Sequence, residues 1–526
     1  MNFFSNKNLN YWLITSLCIS SLILIPICVI FYNSLYVDNA VWAHIYENLF
    51  FNYTLNSLIL AFAVSLLSFA LGVSAAWTIS FYQIPYKKIL SLLLILPIAI
   101  PPYAVAYSYV DISDYFNNFF YLNFRGKMGA IFILSMTLYP YVYLISRYSF
   151  LKNAHKIMEA AANLGATRLE LFFKFALPLS RPAIAASMAL VIMETLADFG
   201  VVHFLGVDSL SVGIYKAWFG LEDINSSARL ASILFLFTLF IVTFEKLLRR
   251  NETEKYVAYG SFYKSVLFKE NRMRALFFIL TLCMLALFVP IAWLFVNALS
   301  ADNYKSSDIL IALFNTIKLG LIGAFLIVIF ALLLAFAKRL FKKTISIIFN
   351  IAKIGYAAPG IVIAIGIIIP VLYIDKKINN FVSIFGYESG LLISSTIIIL
   401  LLAYLVRFFS VAFNPLEAAY EKISSKIDFV SLNLGASNNR LFFQVHIPML
   451  SMGILIAFLL VFIDILKELP ATLILRPFNF NTLSILTFEY ASSEQLVMAA
   501  TPALLITFLA SLPLLLIHFS VNKLNS

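Results

Sequence analysis

Apolar residues run through this chain in blocks of about twenty, separated by short polar intervals, rather than at a spacing that would put one greasy face on an otherwise polar helix. A helix rises roughly 1.5 Å per residue, so such a block reaches across a hydrocarbon layer of about 30 Å. Twelve blocks qualify as spans, near 11–33, 54–80, 89–110, 129–147, 183–204, 229–247, 275–299, 313–337, 344–372, 389–409, 450–468 and 497–520. The pattern predicts an all-α fold, a polytopic transmembrane helical bundle whose solvent is the lipid bilayer. The first block, Tyr11 to Phe31, is long for the apolar stretch of a signal peptide and lacks a convincing small-residue cleavage site, so it reads as a span.

The polar intervals say the same thing twice. Gly165-Ala166-Thr167, Leu171-Phe172-Phe173 and Leu177-Pro178 recur 270 residues on as Gly435-Ala436-Ser437, Leu441-Phe442-Phe443 and Ile447-Pro448. With the same offset and no gap, Glu194, Leu196 and Asp198 fall on Asp464, Leu466 and Glu468. In the first copy Ile157, Ala161 and Leu164 share a helical face, Gly165 interrupts, and Thr167 with Glu170 forms a capping box for a second short helix. In the second, Ser425 with Asp428 caps the first helix, Ile427, Val430 and Leu434 give its apolar face, Gly435 breaks it and Ser437 caps the next. A surface connector needs no matched copy, whereas two alike docking elements suit a two-fold partner.

Composition fits a lipid-dissolved chain: 62% hydrophobic, 16% aromatic and 12% charged residues, with mean hydropathy +0.93. The net charge of +11 resides in short loops without interleaved aromatics, which argues against nucleic acid and for membrane orientation. With a cytoplasmic N-terminus, Lys87 and Lys88, Arg147 to Arg181, Lys246 to Arg274, Lys338 to Lys343 and Arg407 to Arg440 all lie inside, as the positive-inside rule requires. The C-terminus is then cytoplasmic too. The charged stretch 251–273 is the natural cytoplasmic linker between a first half, 1–250, and a second, 274–526. Six spans on each side give two parallel six-helix repeats. The repeated segments, near 150–182 and 415–449, then face the cytoplasm between the fourth and fifth spans of their halves. Cys18, Cys28 and Cys283 sit inside apolar runs, an odd count without paired spacing, and read as small buried hydrophobes. His44, His155, His203, His446 and His518 show no metal-ligand spacing, and His446 reads as exposed.

Glu159-Ala160-Ala161, then Gly165, then Leu177-Pro178 resemble the cytoplasmic EAA loop of permease subunits in binding-protein-dependent ABC importers. The stretches Leu96 to Tyr103, Met193 to Gly200, Lys467 to Thr472 and Leu475-Arg476-Pro477 look most like the ferric iron permeases, a family that includes fused chains with two such loops. The resemblance implies a bacterial inner-membrane protein that binds two copies of an ABC ATPase subunit and receives its cargo from an extracytoplasmic binding protein. It carries the coupling role onto Glu159, Ala160, Ala161, Gly165 and Pro178, and onto Asp428, Gly435 and Pro448 in the second copy. There Phe429, Val430 and Ser431 replace Glu-Ala-Ala, so the glycine and proline are the firmer markers. No Gly-x-x-x-x-Gly-Lys-Ser/Thr loop occurs, so ATP hydrolysis belongs to a separate polypeptide; the chain is a transport permease with no cofactor and not an enzyme.

Glu194 and Asp198 lie one helical turn apart in the fifth span, and Asp464 and Glu468 repeat the arrangement in the eleventh. Ionisable groups in a span face a bundle interior or water and mark substrate paths, and carboxylates suit hard cations. The bland alternative is that they cap helix ends or pair with Lys467. No set of residues is assigned as a certain metal site. Pro97, Pro101 and Pro102 break the third span and Pro359-Gly360 the ninth. Tyr103, Tyr107 and Tyr109 read as interfacial anchors. The function expected is the ferric iron path of an ATP-driven importer working by alternating access. Thiamine, polyamine or phosphonate permeases are the rivals within the class, and an ion-gradient-driven transporter of 6+6 architecture the rival outside it.

Overall fold

A computed structural model describes residues 8–36, 40–117, 123–249, 268, 270–300, 306–341, 355–385 and 390–525. These residues are almost entirely helical; the sole β-contact among them is a bridge between Tyr82 and Phe268. The principal helices are α1 (Asn8–Ser34), α2 (Phe50–Phe81), α3 (Pro102–Phe116), α4 (Lys127–Ser149), α5 (Arg181–Ala197), α6 (Ile224–Arg249), α7 (Arg272–Cys283), α8 (Val289–Leu299), α9 (Ser306–Leu340), α10 (Gly360–Ser383), α11 (Ile397–Lys422), α12 (Ser451–Leu466) and α13 (Leu496–Asn525).

The expected count of twelve spans is not reached among the described residues. Among the described residues eight helices are long and apolar enough to cross a membrane, or eleven spans if each of three sharply bent helix pairs is one. The ninth expected span, 344–372, begins outside the described residues, and its described part, α10, runs on through Asp375, Lys376 and Lys377. Asp375 is buried there, its carboxylate accepting from the backbone N–H of Ile393 and Ser394 and from the Ser394 hydroxyl, which pins the chain leading into α11. Most of the expected linker, 251–273, also lies outside the described residues.

Proline causes the sharpest bend. Pro97, Pro101 and Pro102 have no N–H to continue a helical ladder, and the segments Lys87–Ala99 and Pro102–Phe116 meet at 94°. Two further bends, 72° and 74°, separate the repeated segments from α5 and α12.

Two helix clusters form the core. α2 packs on α4 and α5, and α9 packs on α11 and α12. Gly72 shows how closely α2 and α4 approach: a β-carbon there would stand 2.6 Å from Val142 Cβ and 2.8 Å from the Tyr139 carbonyl oxygen. The opening helix of each half crosses to the other. α1 lies against α9 and α10 as well as α6, while α8 lies against α3 as well as α13. Cys283 is buried as expected of an apolar run, but Cys18 and Cys28 are exposed on the outer surface of α1.

Candidate functional site

The two repeated segments fold alike, turn for turn. The helix His155–Asn163 ends at Gly165 with φ +88°, and the helix Ser425–Asn433 ends at Gly435 with φ +83°. Each end closes the same way. Ala166 N–H donates to the Ala161 carbonyl and Gly165 N–H to that of Ala162, while Ala436 donates to Ser431 and Gly435 to Leu432. This is the Schellman closure, in which a left-handed residue lets the chain satisfy its last carbonyls. The next short helix starts on a hydroxyl cap in both copies. Thr167 accepts from Glu170 N–H while Glu170 accepts from Thr167 N–H, and Ser437 accepts from Arg440 N–H. Lys174 and Thr167 together hold the exposed Glu170 carboxyl down at about 2. Wide-turn helices follow, Leu171–Ala176 and Leu441–His446, each leading into a proline, half-buried Pro178 and exposed Pro448.

The outward faces also correspond. Leu164 and Leu434 stand 89% and 83% exposed, and Phe173 and Phe443 are exposed beside them, apolar side chains on offer to a partner. Glu159 is half-buried, Ala160 exposed and Ala161 buried. The face expected on Ile157, Ala161 and Leu164 is therefore divided: Met158 and Ala161 turn inward, whereas Ile157 and Leu164 face out.

The copies differ in what holds them. In the second, Ser424 rather than Ser425 is the cap, accepting from Lys426 N–H. Asp428 does not cap; it takes Arg339 Nε at 2.6 Å and Nη2 at 3.1 Å, and pairs with His446 Nε2 at 3.0 Å. Arg339 also donates to the carbonyls of Tyr420 and Ile423. His446 is fully buried rather than exposed. Burial pushes its imidazole below the ordinary value while Asp428 pulls the other way. At the position of Asp428 the first copy has buried Met158, and at that of His446 it has Ala176. Its hold comes instead from the far side of the chain: Arg168 pairs with Glu270, and its guanidinium lies 5.2 Å from the centre of the Phe268 ring, which packs on Trp77. Trp12 plays the matching part for the second copy, its ring 5.4 Å from Phe442 and 4.8 Å from Phe336.

A cavity of about 930 Å³ opens between the halves, and Glu194, Asp198, Asp464 and Glu468 all line it, with Arg147, Arg407 and Lys467. Three of the four carboxylates do what the bland reading expected, two by capping and Asp464 by pairing with Lys467. Asp198 Oδ1 accepts from Val201 and Val202 N–H at the start of Gly200–Phe204, and Glu468 Oε1 accepts from Ala471 N–H at the start of Pro470–Leu475. The neighbourhood repeats as well: Ser211 Oγ donates to the Asp198 carbonyl and Ser484 Oγ to that of Glu468. Glu468 further pairs with Arg407 Nε at 3.0 Å, and Asp464 with Lys467 Nζ at 3.1 Å. Among the described residues no three acids, histidines or cysteines converge closely enough to hold a metal ion.

The sequence reading left Arg407 at the cytoplasmic end of the tenth span, 389–409, and counted it with the cytoplasmic charges. The tenth span is in fact α11, Ile397–Lys422, and Arg407 lies inside it, stabilised by its acid partner. Tyr103, Tyr107 and Tyr109 are not interfacial anchors. All three are buried; Tyr109 donates to the Leu285 carbonyl, Tyr103 lines the cavity, and among the described residues the hydroxyls of Tyr103 and Tyr107 have no hydrogen-bond partner.

Residues 68–252 match the family described as binding-protein-dependent transport system inner membrane component. Nearly the whole chain aligns with the Fe(3+)-transport system permease protein FbpB 2 of Haemophilus influenzae, 25% identical over 473 residues that cover 88% of each protein. The chain is thus similar to permeases of this kind along most of its length. Shorter matches join the chain to the sulfate transport system permease protein CysT of Escherichia coli, 30% identical over 28% of this chain and 56% of that one. The molybdenum transport system permease protein ModB of Escherichia coli is 29% identical over 26% of this chain and 62% of its own length.

Proposed function

We propose that this permease forms the translocation path of an ATP-driven importer for ferric iron, loaded by an extracytoplasmic binding protein and driven by two copies of a separate ATPase subunit. The observation that carries the reading is the duplicated helix, left-handed glycine and capped helix at 165 and 435, two alike outward-facing elements suited to two alike partners. Glu159, Ala160, Ala161, Gly165 and Pro178 form the first docking element, and Asp428, Gly435 and Pro448 belong to the second. Asp428 acts there from within, by fixing the segment against Arg339. The halves 1–250 and 274–526 lie parallel, with both termini in the cytoplasm, and rock against each other around the cavity.

Iron is suggested by the relative that aligns over most of the chain, and by charge. Sulfate and molybdenum are named for relatives matching about a quarter of the chain, but this cavity sets four carboxylates against the three cations Arg147, Arg407 and Lys467, a balance that leans toward a cation over an oxyanion. The test is to co-express the permease with its ATPase, purify the complex and measure ATP-dependent uptake of ferric iron from its loaded binding protein. A complex of two ATPases per permease that takes up iron and not sulfate is expected. Uptake that proceeds with the ATPase inactivated would refute the coupling and favour a gradient-driven carrier.

A further inference from the structure

We infer that Arg407 and Lys467 are resident counter-cations of the path, occupying Glu468 and Asp464 between transport events and leaving Glu194 as the carboxylate that first meets the cargo. This rests on the reading of the cavity as a path for a cation. Among the described residues Glu194 makes no hydrogen bond or ion pair, whereas the other three carboxylates are engaged. Beside them the hydroxyl of Tyr103, buried and unpartnered in the cavity wall, is a further oxygen donor without an assigned role.

The two-fold repeat shows that the cations are additions rather than part of the common plan. The offset of 270 that equates Asp198 with Glu468 equates Arg407 with Thr137 and Lys467 with Ala197. Both cations therefore stand on the second-half wall, and the first-half wall has none at those positions. Arg407 holds Glu468 through Nε at 3.0 Å, and among the described residues its buried Nη1 has no acceptor, so the grip is single and releasable. The chain makes room for it: a β-carbon at Gly360 would collide with Arg407 Nη1 and stand 2.5 Å from Glu468 Oε1. The chemical logic is continuity of charge. A bare carboxylate in a poorly hydrated interior is costly, so the ammonium and guanidinium stand in for the cargo, yield Asp464 and Glu468 when it arrives on Glu194, and return when it leaves.

The test uses the full complex in proteoliposomes, with ferric iron on its binding protein as the probe. Arg407→Gln unmasks Glu468, so the maximal rate is expected to fall about tenfold and KM to fall with it, with iron retained on the washed permease. Arg407→Lys and the double variant R407Q/E468Q should both recover to within about threefold of the parent. Gly360→Ala, which alters no charge, should shift rate and KM in the direction of Arg407→Gln. A merely structural ion pair predicts loss in proportion to folded permease, with KM unchanged and no retained iron; that result overturns the inference. Failure of the unaltered complex to move ferric iron would overturn the reading beneath it instead.

Discussion

Gly165 and Gly435 offer the sharpest test of how the repeated segments work. Each has a positive φ, and around each the space where a β-carbon would sit is empty to 4 Å within the chain. Alanine therefore meets no clash, and its cost is that of holding an L-residue left-handed, about 1–2 kcal/mol. If a partner binds the segment in this bent form and the free segment can relax, the strain is subtracted from binding. Each Gly→Ala change then weakens the complex roughly 5- to 30-fold, and the double variant combines two such losses. Asparagine visits the left-handed region readily, so Gly→Asn is expected to stay within about twofold of the parent. Titrating purified ATPase subunit onto detergent-solubilised permease by thermophoresis measures both. If asparagine is as damaging as alanine, the glycines serve close approach by the partner rather than the turn. If alanine binds like the parent, the bend is not what is recognised.

Two further outcomes concern stability. Burial holds His446 below its unfolded value, so the unfolded chain takes up the proton first; the stabilisation is present above the unfolded pKa of about 6.5 and is lost as pH falls through it. The melting midpoint of the parent should drop between about pH 7.5 and pH 5.5 more steeply than that of His446→Gln, and equal slopes would refute the assignment. Gly72→Ala forces a methyl against the backbone of α4 and should cost about 1–3 kcal/mol in detergent unfolding, while Gly220→Ala, with open space around it, should be near neutral; equal effects would show that α2 and α4 adjust freely.

Much of this arrangement is legible in the chain. The bends follow from glycine and hydroxyl-capping residues recurring at one offset, because local backbone chemistry decides them. The relation of Asp198 to Glu468 is legible for the same reason, since no insertion intervenes. Beyond them the echo continues out of sight. Ser209 caps the helix Leu210–Tyr215 and Thr482 the helix Leu483–Ser492, but the offset has grown to 273 and the residue type has changed. Arg407 was hidden by a rule about loops, because a lone arginine mid-span is costly and only its distant partner Glu468 makes the position tenable. Periodicity likewise could not say that Met158 rather than Ile157 turns inward, or that Asp428 would find Arg339 instead of a helix cap. Those choices depend on contacts between segments far apart in the chain.

The crossing of opening helices bears on how the protein is made. Phe268 and Glu270 reach back to Trp77 and Arg168, which have already left the ribosome, so the first repeated segment can be completed as soon as the second half begins. Trp12 is in the opposite position. It meets Phe336 first and waits for Phe442, 430 residues after it, before its ring is fully packed. A seat for the second repeated segment is thus held by a helix made long before it. A chain truncated before Phe442 would leave that face of Trp12 without its partner ring.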